Sequence, residues 1–85
     1  MNWKEENQVL YRKFSFKSFE LAMDFMQKSG AEMTRLNHHA EWKNIYNTIE
    51  VWLCTHDAGN TITDKDRILA KAMDTIYFTM DTGTL

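Results

Sequence analysis

The sequence predicts an α+β fold, a two-layer sandwich with an antiparallel four-stranded sheet and helices packed on one face. Three observations predict it. Val9–Phe16 and Ile49–His56 are β-branched and aromatic runs that alternate between two faces. Apolar residues recur at helical spacing from Ser18 to Leu36 and again after Thr63. The segments follow one another as β-β-α-β-β-α, an order that gives two layers around one core.

Each element has its own justification. Trp3 to Glu5 is expected to pair with Val9–Phe16 through a turn near Glu6-Asn7. In the longer strand Leu10, Phe14 and Phe16 share a face that Arg12 interrupts. Ser18 is a suitable N-cap, and Glu20 in the first turn complements the helix dipole. Phe19, Ala22, Met23, Met26, Gly30 and Met33 form the predicted apolar stripe. Gly30 costs that helix about 1 kcal/mol relative to alanine, so close packing against a neighbour is expected there. Asn37 is the expected stop.

Trp42–Thr48 and Ile49–His56 read as the next two strands. In the second, Ile49, Val51, Leu53 and Thr55 face one way, and Glu50, Trp52, Cys54 and His56 the other. Asp57 to Asn60 is a loop. Thr63 and Asp66 have the spacing of a helix capping box. Ile68, Leu69, Ala72, Met73, Ile76, Tyr77 and Met80 make the stripe of the second helix, and Asp81–Leu85 is expected to fray.

Composition narrows the function. The 85 residues are 44% hydrophobic and 26% charged, which fits one small globular domain over residues 1–85 and not a disordered chain. A net charge of −2 supplies no basic field for nucleic acid. No apolar run reaches the roughly 20 residues of a membrane span, and the N-terminus has no apolar signal core. One cysteine, Cys54, excludes an internal disulfide and fits a reducing compartment, so a cytoplasmic location is expected. A core this small favours self-association.

The chemistry-bearing residues are three histidines. His38 and His39 are adjacent between a helix and a strand, and His56 ends a strand at a loop. Convergent imidazoles near neutral pH make a general acid–base site. Exposed loop histidines are the plain alternative, and a metal site with Cys54 is the other, although no His-x-His or Cys-x-x-Cys spacing supports it. Asp66 reads equally as a capping residue or as a participant in the site.

The ordered segments Asn37-His38-His39-Ala40-Glu41-Trp42, Asn44-Ile45-Tyr46-Asn47, Thr55-His56-Asp57, Gly59 and Asp66 resemble the pterin-4a-carbinolamine dehydratases. Phe14 to Phe19, followed by Ala22 and Phe25-Met26, resembles the same family upstream. The resemblance implies an enzyme that removes water from 4a-hydroxytetrahydropterin to give quinonoid dihydropterin, in tetrahydrobiopterin recycling, with no metal and no cofactor. It implies that His38, His39 and His56 are catalytic. Asn37, His38, His39, Trp42, Cys54, Thr55 and His56 would bind the substrate, and Asp66 would be an orienting carboxylate near the third histidine. Trp42 or Trp52 would supply an aromatic surface for the flat ring.

The resemblance also implies a homodimer or homotetramer and a pterin as the only partner, with no nucleic acid and no membrane. A non-catalytic interaction or regulatory module of the same fold is the alternative, since some animal members are dimerisation cofactors of a homeodomain transcription factor. The sequence departs from the family pattern in four places. Ala40 replaces a usual proline, and Thr34 stands where many members carry an acid four residues before His38. The loop after His56 is one residue longer than in many members, and the helix many of them carry before the first tryptophan is not expected ahead of Trp3. Thr34 thus leaves His38 without a carboxylate partner in this reading.

Overall fold

A computed structural model describes residues 2–82 of the chain. Its elements are β1 (Lys4–Glu6), β2 (Val9–Ser15), α1 (Phe19–Leu36), β3 (Glu41–Ile45), β4 (Thr48–Leu53) and α2 (Asp64–Thr82). The strands form one open antiparallel sheet in the order β1-β2-β4-β3. The fold is the α+β sandwich that the alternating patterns predict. Residues 83–85, part of the expected frayed tail, lie outside the described residues, and α2 continues through Asp81 and Thr82.

The turns sit slightly away from the expected places. β1 and β2 join at Asn7 and Gln8, both left-handed with φ of 53° and 64°. Consecutive positive φ values match the twist of a tight hairpin, and Asn tolerates that region. Tyr46 and Asn47 turn the chain between β3 and β4, so Trp42–Thr48 is not one continuous strand. Tyr46 has φ of 50°, and the Asn44 amide holds the Tyr46 and Thr48 carbonyls at 3.0 Å each.

One face of the sheet carries the core. Leu10, Phe14, Ile49, Val51 and Leu53 are buried against both helices. Arg12 shares that face without breaking it. Its guanidinium lies 4.3 Å from the Phe14 ring centroid and pairs with Asp74 on α2. Stacking on an aromatic face and ion pairing together let a cation sit at the edge of an apolar layer. Trp3 donates its indole N–H to the same Asp74 at 2.8 Å, which fastens the start of β1 to α2.

α1 begins where Ser18 accepts from the Leu21 amide at 3.1 Å. It ends at Asn37, left-handed with φ of 52°, and the next amide, His38 N–H, reaches back to Met33 O at 3.1 Å. This closing pattern satisfies the last helical carbonyls. The buried face is Ala22, Phe25, Ser29 and Met33. The stripe is therefore rotated from the expected one: Phe19 is exposed, and Phe25 and Ser29 lie in the core. Ser29 escapes a hydrophobic pattern because it is polar, yet it is fully buried with no hydrogen-bond partner for its hydroxyl among the described residues. On α2, Leu69, Ala70 and Met73 are buried, whereas Ile68 is exposed.

Gly30 corrects a second expectation. A Cβ built there meets nothing within 4 Å, so close packing within the chain does not explain the glycine. Gly30→Ala is expected to stabilise the protein by about 0.5–1 kcal/mol through helix propensity. Urea unfolding of the two proteins measures it. A lower midpoint for the alanine variant would contradict the open space seen beside the helix.

Candidate active site

The chain ends of three elements meet at one end of the sheet. The left-handed turn at Asn37 releases the backbone from α1 and carries His38 and His39 toward β3. The strand β4 stops at Leu53, and Thr55 makes an isolated bridge to Thr61. A single 3-10 turn, His56–Ala58, follows. The first turn of α2 then supplies Asp66.

Asp66 organises this corner. It is fully buried. One carboxylate oxygen lies 2.6 Å from His38 Nε2. The other accepts from the Thr55 hydroxyl at 2.7 Å and from the Thr63 amide at 2.9 Å. The Thr55 proton is thereby committed, so the Thr63 hydroxyl donates to Thr55 Oγ1, 2.6 Å away. The Thr63–Asp66 capping contact and a site contact are both made by one side chain. Burial pushes the Asp66 carboxyl up, but the His38, Thr55 and Thr63 donors outweigh it and hold it below the ordinary carboxylate range. An ionised carboxylate only accepts, so His38 Nε2 carries the hydrogen.

This geometry corrects two expectations. Asp66 bonds His38 and not the third histidine. His38 therefore has a carboxylate partner, supplied from α2 and not from the preceding helix. Thr34 is exposed and turns its hydroxyl back to the Gly30 carbonyl at 3.2 Å. An acid at position 34 is not needed to pair His38.

Two adjoining depressions lie over these residues. One, of about 220 Å³, is lined by Asn37, His38, His39, Cys54, Thr55, His56, Asp57 and Lys65. The other, of about 160 Å³, is lined by Val9, His39, Glu41, Trp52, Cys54 and His56. His39, Cys54 and His56 border both. All three histidines thus reach one hollow, each held differently. His38 is fixed by Asp66, His56 Nδ1 lies 2.7 Å from the Asn60 amide oxygen, and the His39 ring has no protein partner among the described residues. Cys54 is half-buried; burial first, then the Asp66 and Glu41 charges, push its thiol up, so it lines the wall as a neutral group. Among the described residues no group of three or more His, Cys, Asp or Glu side chains is placed to hold a metal ion.

Comparison with known proteins gives this corner a context. The family model described as pterin 4 alpha carbinolamine dehydratase matches residues 1–76. The chain belongs to that family. A candidate pterin-4-alpha-carbinolamine dehydratase of Opitutus terrae is 43% identical over 74 residues, covering 87% of this chain and 76% of that one. Another, of Nitrobacter winogradskyi, is 42% identical over 69 residues, covering 81% of this chain and 67% of that one. A crystal structure from Brucella melitensis, titled a transcriptional coactivator/pterin dehydratase, superposes with a TM-score of 0.86 at 35% identity. It covers 89% of this chain and 82% of that one. A pterin dehydratase-like protein identified as a RuBisCO assembly factor in the alpha-carboxysome shares the fold, with a TM-score of 0.77 at 18% identity over 91% of this chain and 90% of that one.

Within this pterin carbinolamine dehydratase fold, the expected site residues separate into two groups. Asn37, His38, His39, Cys54, Thr55 and His56 border the same depression, and Asp66 stands behind His38. Trp42 does not join them. It pairs in register with Val51 and faces the helices, where it packs against the core. The tryptophan on the open face is Trp52, opposite Glu41 and 5.4 Å from the Tyr11 ring. Asn60, Glu41 and Lys65 were not singled out from sequence. Only Asn60 carries a local signal, an Asn after a Gly in a loop, where left-handed backbone is favoured.

Proposed function

We propose that this chain dehydrates 4a-hydroxytetrahydropterin to quinonoid dihydropterin by histidine general acid–base catalysis, in tetrahydrobiopterin recycling in the cytoplasm. The observation that carries the proposal is the convergence of His38, His39 and His56 on one depression, with His38 backed by a buried, ionised Asp66. Elimination breaks the bond from C4a to its hydroxyl oxygen and removes the N5 proton, and the freed pair forms the C4a–N5 double bond. A proton delivered to the hydroxyl lets it leave as water. Two imidazoles are enough for both transfers, and each such group contributes about 10²–10⁴-fold. Trp52 borders the adjoining depression, which shares His39 and His56, and offers a flat surface to a planar ring. No metal or cofactor enters these steps.

The decisive measurement is the dehydration rate of chemically generated 4a-hydroxytetrahydropterin with and without the protein. Acceleration that survives dialysis against a chelator supports the reading. A rate equal to the uncatalysed one would leave the fold to a non-catalytic interaction module.

Self-association belongs to the same proposal. The β3 edge ends in exposed Ile45 and Tyr46, and α2 exposes Ile68. A small chain with unpaired strand edges and exposed apolar side chains gains by burying them against a copy of itself. Sedimentation at micromolar concentration is expected to give a dimer or tetramer; a single species at 10.1 kDa would refute this.

A further inference from the structure

Asn60 stands outside the family motif segments quoted above, and among the described residues its side chain has one partner, the His56 ring. We infer that Asn60 is a positioning residue that holds His56 as the Nδ1–H tautomer and presents Nε2 as the lone pair that takes the substrate's proton. The inference rests on the dehydratase reading and names a residue it did not contain.

The geometry is built from the buried side outward. Thr55 is tied to Asp66 through its hydroxyl. Its carbonyl accepts the amides of Ala58, Asn60 and Thr61 at 3.3, 3.1 and 3.4 Å, and its amide donates to Thr61 O at 2.8 Å. The loop is therefore closed on an anchored residue. Gly59 and Asn60 follow each other in the left-handed region, with φ of 85° and 58°. Asn is among the few side chains that adopt this backbone readily. The resulting turn brings Asn60 Oδ1 to 2.7 Å from His56 Nδ1.

An amide oxygen only accepts, so His56 Nδ1 must donate. In the neutral ring Nε2 then has the lone pair, and it has no protein partner among the described residues. His38 is held through the opposite nitrogen, Nε2, by Asp66. These two of the three rings are thus held through opposite nitrogens, which leaves Nδ1 of His38 and Nε2 of His56 for the hollow. An unsupported imidazole in water favours the Nε2–H form, which offers no base at that nitrogen. Fixing the tautomer through the other ring nitrogen is a general way to prepare a histidine for proton transfer.

Two variants test this. Asn60→Gly removes the acceptor and keeps a residue at ease with positive φ. Asn60→Asp keeps an acceptor oxygen. Histidine ¹⁵N NMR at a pH above the imidazole range reads the tautomer, with the His56 signal assigned by its loss in His56→Gln. Expected are Nδ1–H in the wild type and in Asn60→Asp, and a shift toward Nε2–H in Asn60→Gly. The glycine variant is expected to lose about 5- to 10-fold in kcat with KM little changed, the scale of one net hydrogen bond; the aspartate variant retains most of kcat.

Nε2–H in the wild type overturns the assignment. So does an Asn60→Gly protein with an unchanged tautomer or an unchanged kcat. If the wild type shows the Nδ1–H ring but no dehydration, the dehydratase reading falls and takes the catalytic consequence with it. An active wild type with the other tautomer removes only Asn60.

Discussion

His56→Ala is expected to lower kcat/KM for dehydration by about 100-fold or more. The estimate follows from the loss of one general acid–base group, worth about 10²–10⁴-fold. His56 is exposed at the rim of the hollow and belongs to no core cluster, so its removal leaves the fold intact. The thermal midpoint should therefore stay within a few degrees while the rate collapses. A variant that keeps the wild-type rate would remove His56 from the reaction. A variant that loses rate and stability together would show a structural role instead.

The second large effect is on stability. Asp66→Asn is expected to cost about 3 kcal/mol, because three donors converge on a fully buried carboxylate. An amide keeps one acceptor oxygen and turns an NH₂ toward a group that also donates. Urea unfolding at neutral pH measures the loss, and equal midpoints would show that the cluster is not held together by the charge.

The same carboxylate gives the sign of a pH dependence. Its folded pKa is depressed below the unfolded value of about 3.9. Its contribution is complete above that unfolded value and is lost as pH falls through the lower folded one. The stability difference between wild type and Asp66→Asn should therefore shrink in acid. A difference that grows on acidification would reverse the assignment.

What could be read from the sequence depended on whether the signal was local. Period-two alternation in Ile49 to Thr55 placed every buried residue of β4 correctly, because side chains on a strand alternate by geometry alone. Ser18 and Asn37 marked the ends of α1 because caps act within one turn. Where two residues meet across the fold, the sequence was silent. Asp66 lies 28 positions from His38, and spacing along the chain says nothing about such a contact. The expected partner position, residue 34, lies on an exposed side of α1. Trp42 and Trp52 are both strand tryptophans, and only the register of β3 against β4 decides which one looks at the helices. The turn at Tyr46-Asn47 lacks the glycine that usually announces a hairpin, so it passed for strand.

The two aspartates of α2 give the helix a role in sub-global opening. Asp66 at its first turn secures His38 and Thr55, and Asp74 two turns later secures Trp3 and Arg12. If α2 lifts from the sheet, the hollow loses its buttress and the N-terminal strand loses its latch in one event. Cooperative units of this kind exchange their amide hydrogens together. β1 and the His38–His39 segment, distant in sequence but both fastened to α2, then share one opening free energy. Deuterium uptake at Trp3 would thus report the integrity of the histidine corner, which it does not touch.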